Sequence, residues 1–114
     1  MNELNQLFEK VSGYFALLSE PTRLKILHAL CDGEKSVTDV VTSVESTQAN
    51  VSRHLNTMYR AGVLGRRKEG NMVYYVISDE ACVELCRSVC TQIASSMEEQ
   101  NISRRAVRDF MPLG

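Results

Sequence analysis

The sequence predicts a mainly α-helical domain carrying one β-hairpin, in the order α-α-α-α-β-β-α. Three observations carry that expectation. Apolar residues recur at three-to-four-residue spacing in five stretches. The period becomes strand-like only between Val63 and Ile77, and Glu69-Gly70-Asn71 divides that segment as a turn. At 114 residues the chain suits a single domain with one core. With 44% apolar and 24% charged residues it is neither a disordered tail nor a membrane protein. No apolar run approaches the roughly 18 residues a membrane span requires.

The elements follow in order. Leu4, Leu7, Phe8, Val11, Phe15 and Leu18 mark an amphipathic first helix. Ser19-Glu20-Pro21 reads as a start signal, with Ser19 capping and proline early in the helix, where its missing N–H costs little. The second helix runs through Leu24, Ile26, Leu27, Leu30 and Cys31 and stops at Asp32-Gly33. Ser36 opens a short third helix bearing Val37, Val40, Val41 and Val44, with Asp39 placed as in a capping box.

Glu45-Ser46 makes a turn, and Thr47 can cap a fourth helix that buries Val51, Leu55 and Met58 and ends at Ala61-Gly62. Val63–Lys68 and Met72–Ile77 form the hairpin. Ser78-Asp79 then starts a long last helix through Val83, Leu85, Val89, Ile93 and Met97. This is the order of a winged helix-turn-helix with a helix added at each end. Residues 1–97 are expected to form that domain, and residues 98–114 a polar tail or short extra helix.

The formal charge of −1 and a sequence pI near 6.1 speak at first against a nucleic-acid partner. Position reverses that inference. From Ser46 to Tyr75, five bases (Arg53, Arg60, Arg66, Arg67, Lys68) face the single acid Glu69, a net +4, while the remainder holds 8 bases and 13 acids, a net −5. A segregation this sharp is an electrostatic footprint rather than a solvated face.

Within that segment, Gln48, Asn50, Ser52, Arg53, His54 and Arg60 fall mostly off the apolar stripe of the fourth helix. Hydroxyl and amide groups at a helix N-terminus suit base edges and phosphates, and the free N–H groups there favour phosphate. Arg66, Arg67 and Lys68 beside the hairpin tip suit phosphate or minor-groove contact. No paired carboxylates, nucleophile–base motif or glycine-rich phosphate loop points to an enzyme. MNELNQLFEK lacks a basic region followed by an apolar one, so the expected compartment is the cytoplasm.

The blocks LLSEPTRLKILHAL, STQANVSRHLNTMYRAGVL and RRKEGNMVYYVIS resemble the ArsR/SmtB family of bacterial repressors over about residues 4 to 97. Gln48, Ser52, His54 and Leu55 with the downstream Gly62 carry the most specific part of that resemblance. It implies a homodimer paired through its end helices, holding two recognition helices one DNA turn apart on double-stranded operator DNA. It also implies that Thr47, Gln48, Asn50, Ser52, Arg53 and His54 face DNA, with Arg66, Arg67, Lys68 and Asn71 in the wing. For His54, the alternative is a packing role within the helix; its neighbours and motif position favour DNA.

Cys31, Cys82, Cys86 and Cys90 are not a disulfide framework in a cytoplasmic protein. The family's Cys-x-Cys sensor site would fall on Ser36 and Thr38, and its zinc-type site on Asp79, Ala81, Gln92 and Ser95; neither ligand set is present. Members that respond to thiol oxidation or sulfide use one cysteine on the second helix and one on the last. That resemblance implies Cys31 with Cys86 or Cys90 as a thiol sensor, while Cys82 is expected to be packing. Three readings of Cys31, Cys86 and Cys90 stay open: buried small hydrophobes, thiols bridged by oxidation or reactive sulfur, and thiolate ligands of arsenite or a soft metal. No resident cofactor is expected, and the effector would be small and inorganic. A second class of function, a winged-helix protein-interaction module, would show no salt-dependent DNA affinity.

Overall fold

The computed structural model describes residues 2–97. Among them the chain forms α1 (Glu3–Leu17), α2 (Pro21–Leu30), β1 (Lys35–Ser36), α3 (Val37–Val44), α4 (Gln48–Arg60), β2 (Leu64–Glu69), β3 (Met72–Ile77) and α5 (Glu80–Met97). The helix order and the hairpin agree with the sequence expectation. The proposed tail or extra helix at 98–114 lies outside the described residues. No described helix is long and apolar enough to cross a membrane.

Helix starts are set by side chains that satisfy orphan N–H groups. The Ser36 hydroxyl accepts from the Asp39 N–H at 3.2 Å, the Thr47 hydroxyl from the Asn50 N–H at 3.2 Å, and the Asp79 carboxylate from the Cys82 N–H at 3.2 Å. Ser19 departs from expectation. Its hydroxyl donates back to the Ala16 carbonyl at 2.8 Å, closing α1, while the Glu20 carboxylate accepts from the Thr22 N–H at 2.8 Å. Pro21 explains the shift, because it holds its predecessor in extended backbone and so makes Glu20 the capping position.

The hairpin pairs Leu64 with Ile77 through to Glu69 with Met72, and Gly70 turns the chain at φ 60°. The strand β1 is an element the sequence pattern does not reveal, since two residues cannot display an alternation. It pairs antiparallel with β3, Lys35 opposite Tyr75 and Ser36 opposite Tyr74, giving the sheet order β1-β3-β2. Glu45 adopts left-handed backbone (φ 53°) and makes the sharp turn from α3 into α4.

The core joins Ile26, Leu27 and Leu30 of α2 to Val40 and Val44 of α3, and to Val51, Leu55 and Met58 of α4. Val63, Leu64, Tyr75, Cys82, Val83 and Cys86 close it. This packing anchors α4 by one face and leaves its other face to solvent. By contrast α1 buries only Leu17. Leu4, Leu7, Phe8, Val11 and Phe15 stay 42–59% exposed, joined by Val89 and Ile93 on α5. Burying a large apolar side chain contributes about 1.5–3 kcal/mol, and these residues leave that gain unrealised within one chain.

Candidate nucleic-acid interface

Helix α4 turns Val51, His54, Leu55 and Met58 inward. That leaves Gln48, Arg53, Asn56 and Arg60 exposed, with Asn50 and Ser52 half-buried. Its first turn carries a connected polar row. The Asn50 amide donates to the Ser46 hydroxyl at 2.9 Å, and the Arg53 guanidinium donates to the Asn50 side-chain oxygen. With Thr47 capping, these groups sit in defined positions beside the free N–H groups of the helix start.

His54 corrects the expectation of a DNA contact. It is 7% exposed, and its Nδ1 accepts from Nε of Arg23 at 3.1 Å. Arg23 also donates to the Leu17 carbonyl at 3.1 Å, so one guanidinium ties the end of α1 and α2 to α4. Burial, then the Arg23 charge, pushes the His54 pKa below its ordinary value of 6.5, with Glu20 opposing. A neutral imidazole with an unprotonated Nδ1 fits that bond. Spacing already places His54 on the buried stripe, since Val51, His54, Leu55 and Met58 fall at i, i+3, i+4 and i+7. Its polar neighbours in sequence obscure that, and the packing of α2 against α4 supplies its partner.

In the hairpin, the Arg66 guanidinium lies 4.0 Å from the Tyr59 ring centroid and reaches the Tyr75 hydroxyl at 3.5 Å. Lys68 and Asn71 are exposed. Ser52, Tyr59, Arg66, Arg67, Lys68 and Tyr75, with Val37 and Val73, line a cleft of about 540 Å³ beside α4 and the hairpin. Arg67 is engaged differently. Its Nε and Nη2 donate to the two oxygens of Glu34 at 2.9 and 2.8 Å, and Nη1 donates to Glu69. Arg23, Glu34 and Tyr59 are thus site residues that the sequence reading missed. The first two act on partners 31 and 33 residues away, so no local pattern marks them.

All four cysteines are free thiols, Cys82 and Cys86 buried, Cys31 and Cys90 half-buried. The Cys86 thiol, and after it the nearby Tyr14 hydroxyl, which donates to Asp79 at 3.2 Å, lower the Cys82 pKa to about 7 against the opposing effect of burial, while Cys86 is pushed up. Cys31 and Cys90 both lie near enough to Cys86 to act on it electrostatically. Burial raises the pKa of Cys31, with Arg87 opposing, and burial also raises that of Cys90. Among the described residues no three His, Cys, Asp or Glu side chains converge as a metal site. The Cys31, Cys86 and Cys90 ligand set is therefore not assembled within one chain. Cys86 and Cys90 are separated by about 6 Å of helix rise, which spreads their sulfurs along α5.

Fold and site together define a winged helix-turn-helix protein. Residues 20–64 match the family model described as bacterial regulatory protein, arsR family. A cadmium resistance transcriptional regulatory protein of Listeria innocua is 41% identical over 70 residues, covering 60% of this chain and 59% of that protein. An HTH-type transcriptional regulator of Methanocaldococcus jannaschii is 34% identical over 83 residues, covering 72% of this chain and 93% of that protein. The crystal structure of Rv0081 from Mycobacterium tuberculosis superposes with a TM-score of 0.72 at 26% identity, covering 90% of this chain and all of that one. The chain belongs to the ArsR family of bacterial regulatory proteins, which are transcriptional regulators and not enzymes.

Proposed function

We propose that the chain is a homodimeric transcriptional repressor of the cytoplasm, bound to double-stranded operator DNA and released by a chemical signal at its thiols. The observation that carries the DNA reading is the exposed polar row of the first turn of α4 beside the basic hairpin. Thr47, Gln48, Asn50, Ser52 and Arg53 would meet the major groove, with Arg66, Lys68 and Asn71 at the flanking backbone. Residues 1–97 form the DNA-binding and dimerisation domain, and the unpartnered apolar faces of α1 and α5 are the natural dimer surface.

The thiol signal acts at Cys31, Cys86 and Cys90, where α2 and α5 come near one another. With hydrogen peroxide, two thiols lose two electrons and two protons to form one S–S bond, and the peroxide O–O bond is reduced to two waters. With a persulfide, one thiol takes the outer sulfur and releases the donor thiol; the second thiol then displaces hydrogen sulfide and closes the disulfide. A bridge from α2 to α5 would tilt the dimer helix against the DNA-reading helices and change their spacing. A second reading, a soft-metal or arsenite effector, draws support from the cadmium resistance relative. It requires ligands from both protomers, or fewer than three thiolates.

Selection of a site from a random duplex pool, followed by titration between about 50 and 200 mM salt, tests the DNA reading. Arg53→Ala should weaken binding by about tenfold and lower the salt slope by about 0.9, the effect of removing one phosphate contact. A protein that selects no duplex would instead be an interaction module. Intact mass after peroxide, persulfide or cadmium tests the signal. Loss of two hydrogens with DNA release supports the bridge, a retained metal ion supports the second reading, and neither leaves the cysteines as packing.

A further inference from the structure

Arg67 looks in sequence like one of three equivalent basic groups of the hairpin, yet its surroundings set it apart. Side chains alternate along β2, so Arg66 and Lys68 share one face of the sheet, and Arg67 and Glu69 share the other. On that second face Arg67 stands directly opposite Tyr74, and its guanidinium lies 4.7 Å from the ring centroid. Glu34, immediately before β1, reaches across β3 and takes Nε and Nη2 in a two-pronged ion pair at 2.9 and 2.8 Å. Glu69 takes Nη1. Each nitrogen of the guanidinium thus donates to a carboxylate, and two carboxylates outweigh its single charge. Two of its five N–H donors stay unused, but a cluster of net negative charge attracts a phosphate less than Arg66 or Lys68 does.

We propose that Glu34 is a positioning residue for the hairpin: it clamps Arg67 so that the wing keeps its orientation to α4, while Arg66 and Lys68 make the phosphate contacts. The clamp spans all three strands of the sheet β1-β3-β2, and it joins the loop after α2 to the strand farthest from it. Two-pronged arginine–carboxylate geometry fixes direction as well as distance, which a single lysine contact does not. The pair is half-exposed, so its loss should loosen the wing without unfolding the domain. The Arg67 interaction likewise holds the Glu34 carboxyl below its ordinary pKa. This assignment rests on the DNA-binding reading for its consequence, though the clamp itself does not.

The test compares Glu34→Gln, Arg67→Gln, their double variant and Lys68→Ala on a labelled duplex of non-specific sequence. Glu34→Gln removes a negative charge from a DNA-binding protein, so electrostatics alone predicts tighter binding. The clamp predicts weaker binding, by about fivefold, with the salt slope unchanged. Arg67→Gln should match it, and the double variant should be no weaker than either single. Lys68→Ala should lower the slope by about 0.9. Tighter binding by Glu34→Gln, or a salt slope that falls as far in Arg67→Gln as in Lys68→Ala, would overturn the assignment. Amide hydrogen exchange of β2 and β3 in the free protein gives a second readout, faster in Glu34→Gln; unchanged rates would overturn the clamp. A parent protein that binds no duplex would sink the DNA reading and leave the exchange result to decide the clamp.

Discussion

The Nε–H of Arg23 on α2 donates to Nδ1 of His54 on α4 across 3.1 Å, a polar tie between the two helices beside the apolar packing of Val51, Leu55 and Met58. Because the acceptor is an unprotonated ring nitrogen beside a permanent cation, the fold favours the neutral imidazole. Its pKa is depressed in the folded state, so the unfolded chain binds the proton first as pH falls. The contribution is complete above the ordinary value of 6.5 and is lost as pH drops through the folded value. The thermal midpoint should therefore fall as pH is lowered below about 6.5, and His54→Gln should flatten that dependence. Glu20, whose pKa is also depressed, acts in the same direction but in a lower window, below its ordinary 4.5. An unchanged pH profile in His54→Gln would assign the dependence elsewhere.

The cap of α4 supplies a second expectation. Thr47→Ala removes the acceptor for the Asn50 N–H and should lower stability by about 1 kcal/mol, measured by urea unfolding. Thr47→Ser keeps the hydroxyl and should retain most of it. Equal losses in both would mean that the threonine methyl, not the bond, matters.

Access and acidity make opposite predictions for the thiols. Cys82 has the lowered pKa, about 7, yet it is fully buried. Cys31 and Cys90 are half-buried with raised pKa values. Under native conditions iodoacetamide should modify Cys31 and Cys90 before Cys82 and Cys86, followed by peptide mass spectrometry, because a thiolate without access cannot react. First labelling at Cys82 would show that local opening around Tyr14 outruns the protection of the core.

The apolar stripe on α1 gives a test of assembly. Leu7 and Phe8 are 54% and 59% exposed in one chain, so charge placed there costs the protomer little. Leu7→Glu with Phe8→Glu should halve the mass seen by light scattering while helical circular dichroism persists. A dimer that survives would place the interface on another face.

Much of the architecture is legible in the sequence because it is written at short range. Ser36 and Thr47 announce their helices three residues ahead of the N–H groups they cap, and Gly70 marks the hairpin turn. Ser19 misleads for an equally local reason, since Pro21 moves the capping position to Glu20. The apolar stripe of α1 is legible as amphipathic but not as unpartnered. Spacing shows that a face wants burial, not whether its own chain supplies it.

Helix order, the hairpin, the basic segment within an acidic frame and the missing ligands of the family's familiar metal sites can all be read from the residues in a line. The partnership of His54 with Arg23, the hold of Glu34 on Arg67, and the failure of Cys31, Cys86 and Cys90 to converge as a metal site emerge only once the elements are docked. The division has one physical cause. Propensity, capping and charge are properties of neighbouring residues, whereas a side chain's partner across the core depends on how two elements pack. Arg23 and His54 are 31 residues apart, and Glu34 and Arg67 are 33 apart, so their meeting is written only in the packing.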